Sequence, residues 1–231
     1  MEYITEGCGW CRLTMDSRDP IDDGMLVKDG GDRAVHLDEI ASLKLAELVQ
    51  RAMQRACTGL SGFIGREIKV QSTSIFLEEA ERVPRLYGGE ETPVAAIYLR
   101  VGGRISGHAV LFFDLESAFA LLDCLYEQPS GTTKEFDTLG ISALSEVGNI
   151  TASAFLNELS DTTGLEIMPS PPAFTTDMLG AILNWLAPEL FLWESDVLVV
   201  KTDFVGSHRR LKGLFLFLPN PGSVEKILLA L

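Results

Sequence analysis

A carboxylate and a primary amide stand one helical turn apart in the segment 142–149, SALSEVGN. If this segment is helical, Ser142, Glu146 and Asn149 fall at positions i, i+4 and i+7, on one narrow face. A carboxylate can bind a cation, and an amide can donate to and accept from a water molecule at the same time. The spacing therefore indicates a site that combines cation binding with the orientation of water.

The apolar residues of the same segment predict that this site lies at the edge of a core. On a helical wheel the apolar stripe consists of Leu139, Ala143, Val147, Ile150 and Ala154. The polar residues Ser142, Glu146, Asn149 and Ser153 lie beside it, which predicts partial exposure. Gly148 and Asn149 each cost about 0.5–1 kcal/mol relative to Ala inside a helix, which favours a functional site over an ordinary solvated face.

The helix that carries these residues is predicted to occur twice. One copy begins at about 36 and ends at about 63, and the other begins at about 136 and ends at about 163. Glu47 is equivalent to Glu146, an offset of 146 − 47 = 99, and the same offset relates Gln50 to Asn149 and Gly65 to Gly164. Farther along, Ser117 is equivalent to Ser223 at an offset of 106, so about seven residues are inserted in the second copy, near 178–185.

Each copy is predicted to continue with a hairpin and a shorter helix. The predicted strands are 94–101, 104–113, 196–204 and 210–218, and the closing helices are 117–125 and 223–231. Gly102-Gly103 and Gly206-Ser207 are the predicted turns. Strands joined by short turns favour an antiparallel sheet with helices on one face, an α+β fold.

Composition limits the classes of protein to consider. The chain has 231 residues, 46% of them hydrophobic, and a net charge of −14. This charge argues against a nucleic-acid partner. No uninterrupted apolar run reaches the roughly 20 residues that cross a bilayer, and the N-terminus has no signal-peptide pattern. Cys57 and Cys124 are predicted to be reduced core thiols, which favours the cytoplasm.

Residues 1–36 are predicted to be a flexible extension, rich in Asp and Gly. Cys8 and Cys11 form a C-x-x-C there. Too few residues precede them for a thioredoxin-like redox motif, and the second half of a zinc site is not evident. An incidental thiol pair is favoured. His108 and His208 are predicted to be structural residues, since no catalytic constellation surrounds them.

The spacing of Ser142, Glu146 and Asn149, followed by Pro172, resembles the signature of the CheC/CheX/FliY family of chemotaxis phosphatases. The resemblance covers about 37–231 and implies an internal duplication: an extended antiparallel sheet with two equivalent long helices side by side. Repeat one would be 37–130 and repeat two 136–231.

The resemblance also implies an activity, hydrolysis of the aspartyl phosphate of a CheY-like response regulator. Asn149 would orient the attacking water, Glu146 would bind a lysine of the regulator, Ser142 would support Glu146, and Pro172 would stabilise the segment behind the helix. No cofactor or metal of the chain's own is expected, because the regulator brings Mg²⁺.

The first copy departs from this signature. Leu43, Glu47 and Gln50 occupy the equivalent helix positions, and Thr73 stands where the second copy has Pro172. Glu47 and Gln50 are therefore a candidate degenerate second site. A decayed site is favoured over an altered working one, because a misplacement of about 1 Å can cost about 10²-fold in rate.

A rival interpretation is a non-catalytic protein that binds the phosphorylated regulator, or a component of a flagellar switch, since the fold is shared with such proteins. The resemblance further raises CheD, a deamidase that some relatives bind, although no feature of this sequence points to it.

Overall fold

A computed structural model describes residues 25–29, 33–37, 39–79, 82–190, 196–206, 209–220 and 222–231. In chain order the elements are β1 (Met25–Asp29), β2 (Arg33–Leu37), α1 (Glu39–Ile64), β3 (Lys69–Glu79), α2 (Val83–Leu86), β4 (Pro93–Gly103), β5 (Gly107–Asp114), α3 (Leu115–Leu125), α4 (Thr138–Thr163), β6 (Ile167–Pro169), β7 (Ala173–Met178), α5 (Leu179–Leu190), β8 (Asp196–Gly206), β9 (Arg209–Pro219) and α6 (Ser223–Ala230).

The two long helices repeat at the predicted offset. Adding 99 to the first and last residues of α1, 39 and 64, gives 138 and 163, the first and last residues of α4. Each helix is followed by a glycine in the left-handed conformation, Gly65 at φ 70° and Gly164 at φ 67°. Glycine adopts this conformation without a Cβ penalty and ends a helix sharply. The predicted duplication of the long helix is therefore confirmed.

One antiparallel sheet joins the two copies. Its seven strands lie in the order β3-β8-β9-β5-β4-β6, and β7 also pairs with β4. Strands β5 and β9 pair at the centre, where Val110 lies opposite Leu216, its own equivalent at the offset of 106. An approximate two-fold axis therefore passes through this pair, and the α+β class with an antiparallel sheet is confirmed.

Equivalent serines on the two short helices connect the copies across this axis. The Oγ of Ser117 on α3 accepts a hydrogen bond from the backbone N–H of Lys212, and the Oγ of Ser223 on α6 accepts one from that of Ser106. Both bonds are 3.1 Å long, and they are equivalent, because the offset of 106 relates Ser117 to Ser223 and Ser106 to Lys212. Each copy thus bonds its closing helix to the other copy's strand.

The outer strands are exchanged between the copies. Strand β3 of the first copy pairs with β8 of the second, whereas β6 and β7 of the second copy pair with β4 of the first. Neither half can complete its part of the sheet alone. Strand β3 is continuous apart from a bulge between Val70 and Ser72, but its counterpart is divided into β6 and β7.

Both faces of the sheet are covered, so the prediction of helices on one face is wrong. Successive residues of a strand point to opposite faces. Leu111 and Phe113 of β5 join the core that contains α1 and α4, whereas Val110 and Phe112 join a second core beneath α2 and α5. The second copy has the longer helix at this position, α5 in place of the four-residue α2, as the predicted insertion near 178–185 requires.

The predicted turn at Gly102-Gly103 is also wrong. Strand β4 continues through both glycines because they pair with Met168 and Ile167 of β6. Gly103 has φ 107°, and a Cβ there would lie 2.5 Å from the carbonyl oxygen of Glu166. The two glycines therefore permit a close pairing of strands, and the chain reverses at 104–106.

Strands β1 and β2 form an antiparallel hairpin in which Met25 lies opposite Leu37. The hairpin lies within 1–36, the predicted extension, except for its last residue. Cys8, Cys11 and His208 lie outside the described residues. Cys57 is buried in the larger core, and Cys124 is half-buried and packs against it.

Helix α4 is long and apolar enough to meet a length-and-composition test for a bilayer-crossing helix, although no uninterrupted apolar run is that long. Half of its most apolar window is buried inside the protein, where it packs against α1 and the sheet. The core helices of soluble proteins meet the same test, so this property is weak evidence for a membrane span.

Two helical glycines provide a test of how closely α4 lies on the sheet. A Cβ on Gly148 would lie 2.3 Å from Cγ2 of Ile97 in β4, whereas a Cβ on Gly62 in α1 meets nothing within 4 Å. Gly148→Ala should lower the free energy of unfolding by about 1 kcal/mol or more, since overpacking outweighs the gain in helix propensity. The matched variant Gly62→Ala should raise it by about 0.5–1 kcal/mol. Urea denaturation measures both, and a Gly148→Ala protein as stable as wild type would contradict the close approach.

Candidate functional site

The first turn of α4 is fixed by the residue that precedes it. Asp137 is the N-cap, and its Oδ1 accepts a 2.7 Å hydrogen bond from the backbone N–H of Gly140. The Tyr126 hydroxyl lies 3.3 Å from the same oxygen. Burial raises the pKa of Tyr126, and the adjacent Asp137 carboxylate raises it further. The hydroxyl therefore stays protonated and donates to the cap.

The linker between the copies is organised by one buried carboxylate, Asp123. It accepts backbone hydrogen bonds from Gly131, Thr132 and Thr133 at 2.6, 3.2 and 2.8 Å. Burial alone would raise the pKa of Asp123, but the hydrogen bonds from Thr133 and its two neighbours outweigh burial, and the pKa lies below its ordinary value. The ionised form thus holds the loop that leads into α4.

The buried face of α4 differs from the predicted stripe. Leu139 is 64% exposed, and the residues that face the core include Gly140, Leu144, Val147, Gly148, Thr151 and Phe155. Two of these are glycines, which a scale of side-chain hydrophobicity does not count as apolar. The close contact between Gly148 and Ile97 explains this glycine by packing, so its presence in the helix does not by itself require a functional explanation.

Glu146 and Asn149 lie beside this buried face and are half-exposed. Asn149 Nδ2 donates to Glu146 Oε2, and Ser153 Oγ donates to Asn149 Oδ1, each over 3.4 Å. Both distances exceed the usual range of about 2.7–3.2 Å for strong hydrogen bonds, so the amide can exchange these partners for a water. Sequence reasoning placed Ser153 on this flank but gave it no role.

Ser142 is exposed on the same face, one turn before Glu146. Within the described part of the chain, the hydrogen-bond partner of the Glu146 carboxylate is Asn149 rather than Ser142. Support of Glu146 by Ser142 stays a prediction.

Pro172 lies in the break between β6 and β7. Before the break, Ser170 pairs with Arg100 of β4 in both directions, through Ser170 N–H to Arg100 O at 2.8 Å and Arg100 N–H to Ser170 Oγ at 2.9 Å. After it, the ring of Phe174 meets Phe136, whose ring stacks on Phe119, with centroids 5.3 and 4.6 Å apart. Phe136 directly precedes the α4 cap, so the segment around Pro172 adjoins the start of the helix.

Helix α1 runs antiparallel to α4, because Gly59 lies beside Ile150 whereas the earlier residue Arg51 lies beside the later residue Glu158. These two contacts are equivalent under the offset of 99 but differ in chemistry. A Cβ on Gly59 would lie 2.8 Å from Ile150 Cγ2, an apolar close approach. In the equivalent contact at the other end of the helix pair, Arg51 Nε lies 2.5 Å from Oε1 of the buried Glu158. The two ends of the helix pair therefore have different polarity.

The first-copy site lies at the charged end. Leu43 and Glu47 are exposed, and Gln50 is half-exposed. Arg51 Nη1 lies 3.8 Å from Glu47 Oε2, and the residue equivalent to Arg51 beside Glu146 is Ile150. Glu47 thus has an internal cation, whereas no Lys or Arg of the described chain lies within ion-pair distance of Glu146.

Thr73 does not occupy a strand break as Pro172 does. It lies within the continuous part of β3, opposite Thr202 of β8. The first copy therefore lacks both the proline and the interruption of the strand behind the helix.

A search of the described residues finds no group of three or more His, Cys, Asp or Glu side chains that could hold a metal ion. His108 is buried, and its Nδ1 lies 2.7 Å from the Tyr98 hydroxyl in the second core region.

Comparisons with known proteins agree with the fold and with the resemblance to the family. The CheY-P phosphatase CheC of Bacillus subtilis strain 168 is 30% identical over 180 residues, which cover 76% of this chain and 86% of that protein. The chain belongs to the CheC-like family. The CheC-like family profile itself matches residues 139–175, a range that contains Ser142, Glu146, Asn149 and Pro172.

Solved structures show the same CheC-like fold. FliY of Thermotoga maritima has a TM-score of 0.68 at 21% identity, over 83% of this chain and 95% of that one. The FliG–FliM complex of H. pylori has a TM-score of 0.64 at 11% identity, over 83% of this chain and 99% of that one.

The pKa of Asp123 predicts an acid-dependent loss of stability. Its folded-state pKa lies below the ordinary value of 3.8, so its stabilisation is complete above the unfolded-state pKa and is lost as the pH falls through the folded-state pKa. Asp123→Asn should lower the free energy of unfolding by about 1–3 kcal/mol at pH 7, and this difference should shrink below about pH 3.8. Denaturation at pH 7 and below about pH 3.8 measures this difference in stability. The control is Glu135→Gln, because Glu135 is an exposed carboxylate of the same linker. An unchanged stability of Asp123→Asn at pH 7 would contradict the structural role.

Proposed function

We propose that this chain hydrolyses the aspartyl phosphate of a CheY-like response regulator in the cytoplasm, with the α4 site as the reacting centre. The observation that carries the proposal is the half-exposed pair of Glu146 and Asn149, with long and exchangeable hydrogen bonds, inside the matched range 139–175. The name of its relative, a CheY-P phosphatase, supports the same reaction.

The reaction requires no covalent intermediate with this protein. An aspartyl phosphate is an activated acyl phosphate, and catalysis of its hydrolysis consists mainly of positioning and electrostatic stabilisation. Water attacks phosphorus, the bond from phosphorus to the aspartyl oxygen breaks, and the products are inorganic phosphate and the free aspartate. Mg²⁺ held by the regulator neutralises charge on the phosphoryl oxygens.

Asn149 orients the attacking water. Its carbonyl oxygen can accept a hydrogen bond from water and its NH₂ group can donate one. In the unbound protein these groups face Ser153 and Glu146 at 3.4 Å. Binding of the regulator replaces one of these weak bonds with a bond to the water.

Glu146 binds the cationic side of the regulator, a lysine beside the phosphorylated aspartate. Its carboxylate is half-exposed, and its described partner is the neutral Asn149 amide. The apolar Ile150 at the position of Arg51 leaves this charge without an internal competitor. At the first-copy site Arg51 lies 3.8 Å from Glu47, so a regulator lysine would have to displace it.

A second candidate function is non-catalytic binding of the phosphorylated regulator, as in a flagellar switch component. The likeness to the FliG–FliM complex is one of fold alone, and the altered first-copy triplet supports this candidate. Binding without faster loss of phosphate would favour this candidate.

Dephosphorylation of the cognate regulator tests the assignment residue by residue. Asn149→Ala should reduce the rate at saturation by about 10²-fold, because the water loses its position. Glu146→Gln should raise the regulator concentration for half-maximal rate by about tenfold or more, because a charge pair is lost at the interface. Gln50→Ala, the equivalent change in the first copy, should stay within about twofold of wild type.

These results can be interpreted if each variant has the same midpoint of denaturant unfolding as the wild-type protein. Full activity of Asn149→Ala would refute the α4 site, and a large loss in Gln50→Ala would move catalysis to the first copy. A wild-type protein that binds the phosphorylated regulator without accelerating its decay is a binding protein.

A further inference from the structure

The helix segments beside Glu146 contain no charged residue, although the exposed Asp137 and Arg66 border them. The last residues of α1, 57–64, and the first residues of α4, 138–145, contain no Asp, Glu, Lys or Arg, although such residues make up 23% of the sequence. The antiparallel packing of the helices brings these two segments to the same end of the pair. Glu146 is the first charged residue after this uncharged stretch of α4.

Three large apolar side chains are exposed within these segments. Leu139 is 64% exposed, Phe63 is 41% exposed and Ile141 is 36% exposed. Leu139 precedes Ser142, Glu146 and Asn149 by 3, 7 and 10 positions, so it continues their helical face. Phe63 lies one turn after Gly59, and Gly59 contacts Ile150, so Phe63 faces the turn of α4 that carries Glu146.

The opposite end of the helix pair differs in charge, although Leu43 is 60% exposed there. Thr162 is the equivalent of Phe63 under the offset of 99, and its Oγ1 lies 3.4 Å from Arg51 Nη2. Asp161, the neighbour of Thr162, pairs with Arg55 at 3.0 Å. Three exposed apolar side chains in uncharged helix segments therefore accompany the complete triplet, whereas the altered triplet combines the exposed Leu43 with an ion-paired network.

We propose that Phe63, Leu139 and Ile141 form an apolar docking surface for the receiver domain of the phosphorylated regulator, adjacent to the charge contact of Glu146. This inference rests on the proposed function and deepens it. Clusters of exposed apolar residues are typical of interaction sites, and interfaces commonly combine an apolar core with polar and charged contacts at its rim. The apolar surface supplies affinity, whereas Asn149 supplies the rate.

Other occupants fit this surface less well. A second copy of the chain docked symmetrically would bring two Glu146 carboxylates together without a cation from 57–64 or 138–145. An anionic membrane would be repelled by Glu146 and by the net charge of −14, and neither segment offers Lys or Arg to the lipid headgroups.

The test compares regulator dephosphorylation by Phe63→Ser, Leu139→Ser and Leu229→Ser. Each of the first two should raise the KM for the phosphorylated regulator by about tenfold, the size expected for an apolar interface anchor, with kcat within about twofold of wild type. Leu229 on α6 is the matched control, since it is 89% exposed and lies away from Glu146. Its position is indicated by Leu231, two residues later, whose carbonyl oxygen accepts a hydrogen bond from Lys44 near the other end of the helix pair. Its variant should leave both constants unchanged.

The outcomes separate this inference from the function on which it rests. If wild type does not accelerate the loss of phosphate, the proposed function fails. If wild type is active but Phe63→Ser and Leu139→Ser keep the wild-type KM, or lower kcat alone, the docking surface is refuted and the function stands. Sedimentation velocity tests the alternative occupant, a second copy of the chain. If wild type is a dimer and both substitutions convert it to a monomer, the surface is a dimer interface and the docking of the regulator there is refuted. Leu139 is largely exposed, so Leu139→Ser keeps the test valid if Phe63→Ser is destabilised.

Discussion

The pairing of β5 with β9 is the constraint on which the rest of the structure depends. It makes one sheet from two copies, with Val110 opposite its own equivalent Leu216. The outer strands then pair with the other copy's hairpin, and Ser117 and Ser223 fix each closing helix to the opposite copy. Because α1 and α4 rest on the same face of this shared sheet, they lie side by side and antiparallel.

This arrangement places the two equivalent helix faces at opposite ends of one helix pair, where they have diverged. The end that carries Glu47 is charged, since Arg51 lies between Glu47 and the buried Glu158. The end that carries Glu146 is apolar, and Gly59 and Ile150 meet closely there. Arg51 in one copy is replaced by Ile150 in the other. Glu47 therefore has an internal cation, whereas Glu146 can bind a cation from a partner.

The features that could be predicted from sequence are those that local residues encode. The bounds of α1 and α4 follow from apolar periodicity and from Gly65 and Gly164, whose left-handed conformation ends each helix. The features that could not be predicted depend on distant partners. Gly103 was assigned to a turn because its pairing with Ile167 is not visible in the local sequence, and Gly148 is explained only by the position of Ile97. The spacing of Glu146 and Asn149 was predicted, but the contact with Ser153 and the polarity of the neighbouring helix were not.

In the proposed function, each chain binds the regulator at one end of the helix pair, the end that carries Glu146. The most direct measurement is the number of regulator molecules, loaded with a non-hydrolysable phosphoryl analogue, that bind per chain in calorimetric titration. We expect one molecule per chain, with binding abolished by Glu146→Lys and retained by Glu47→Lys. Two molecules per chain, or loss of binding through Glu47→Lys alone, would contradict it.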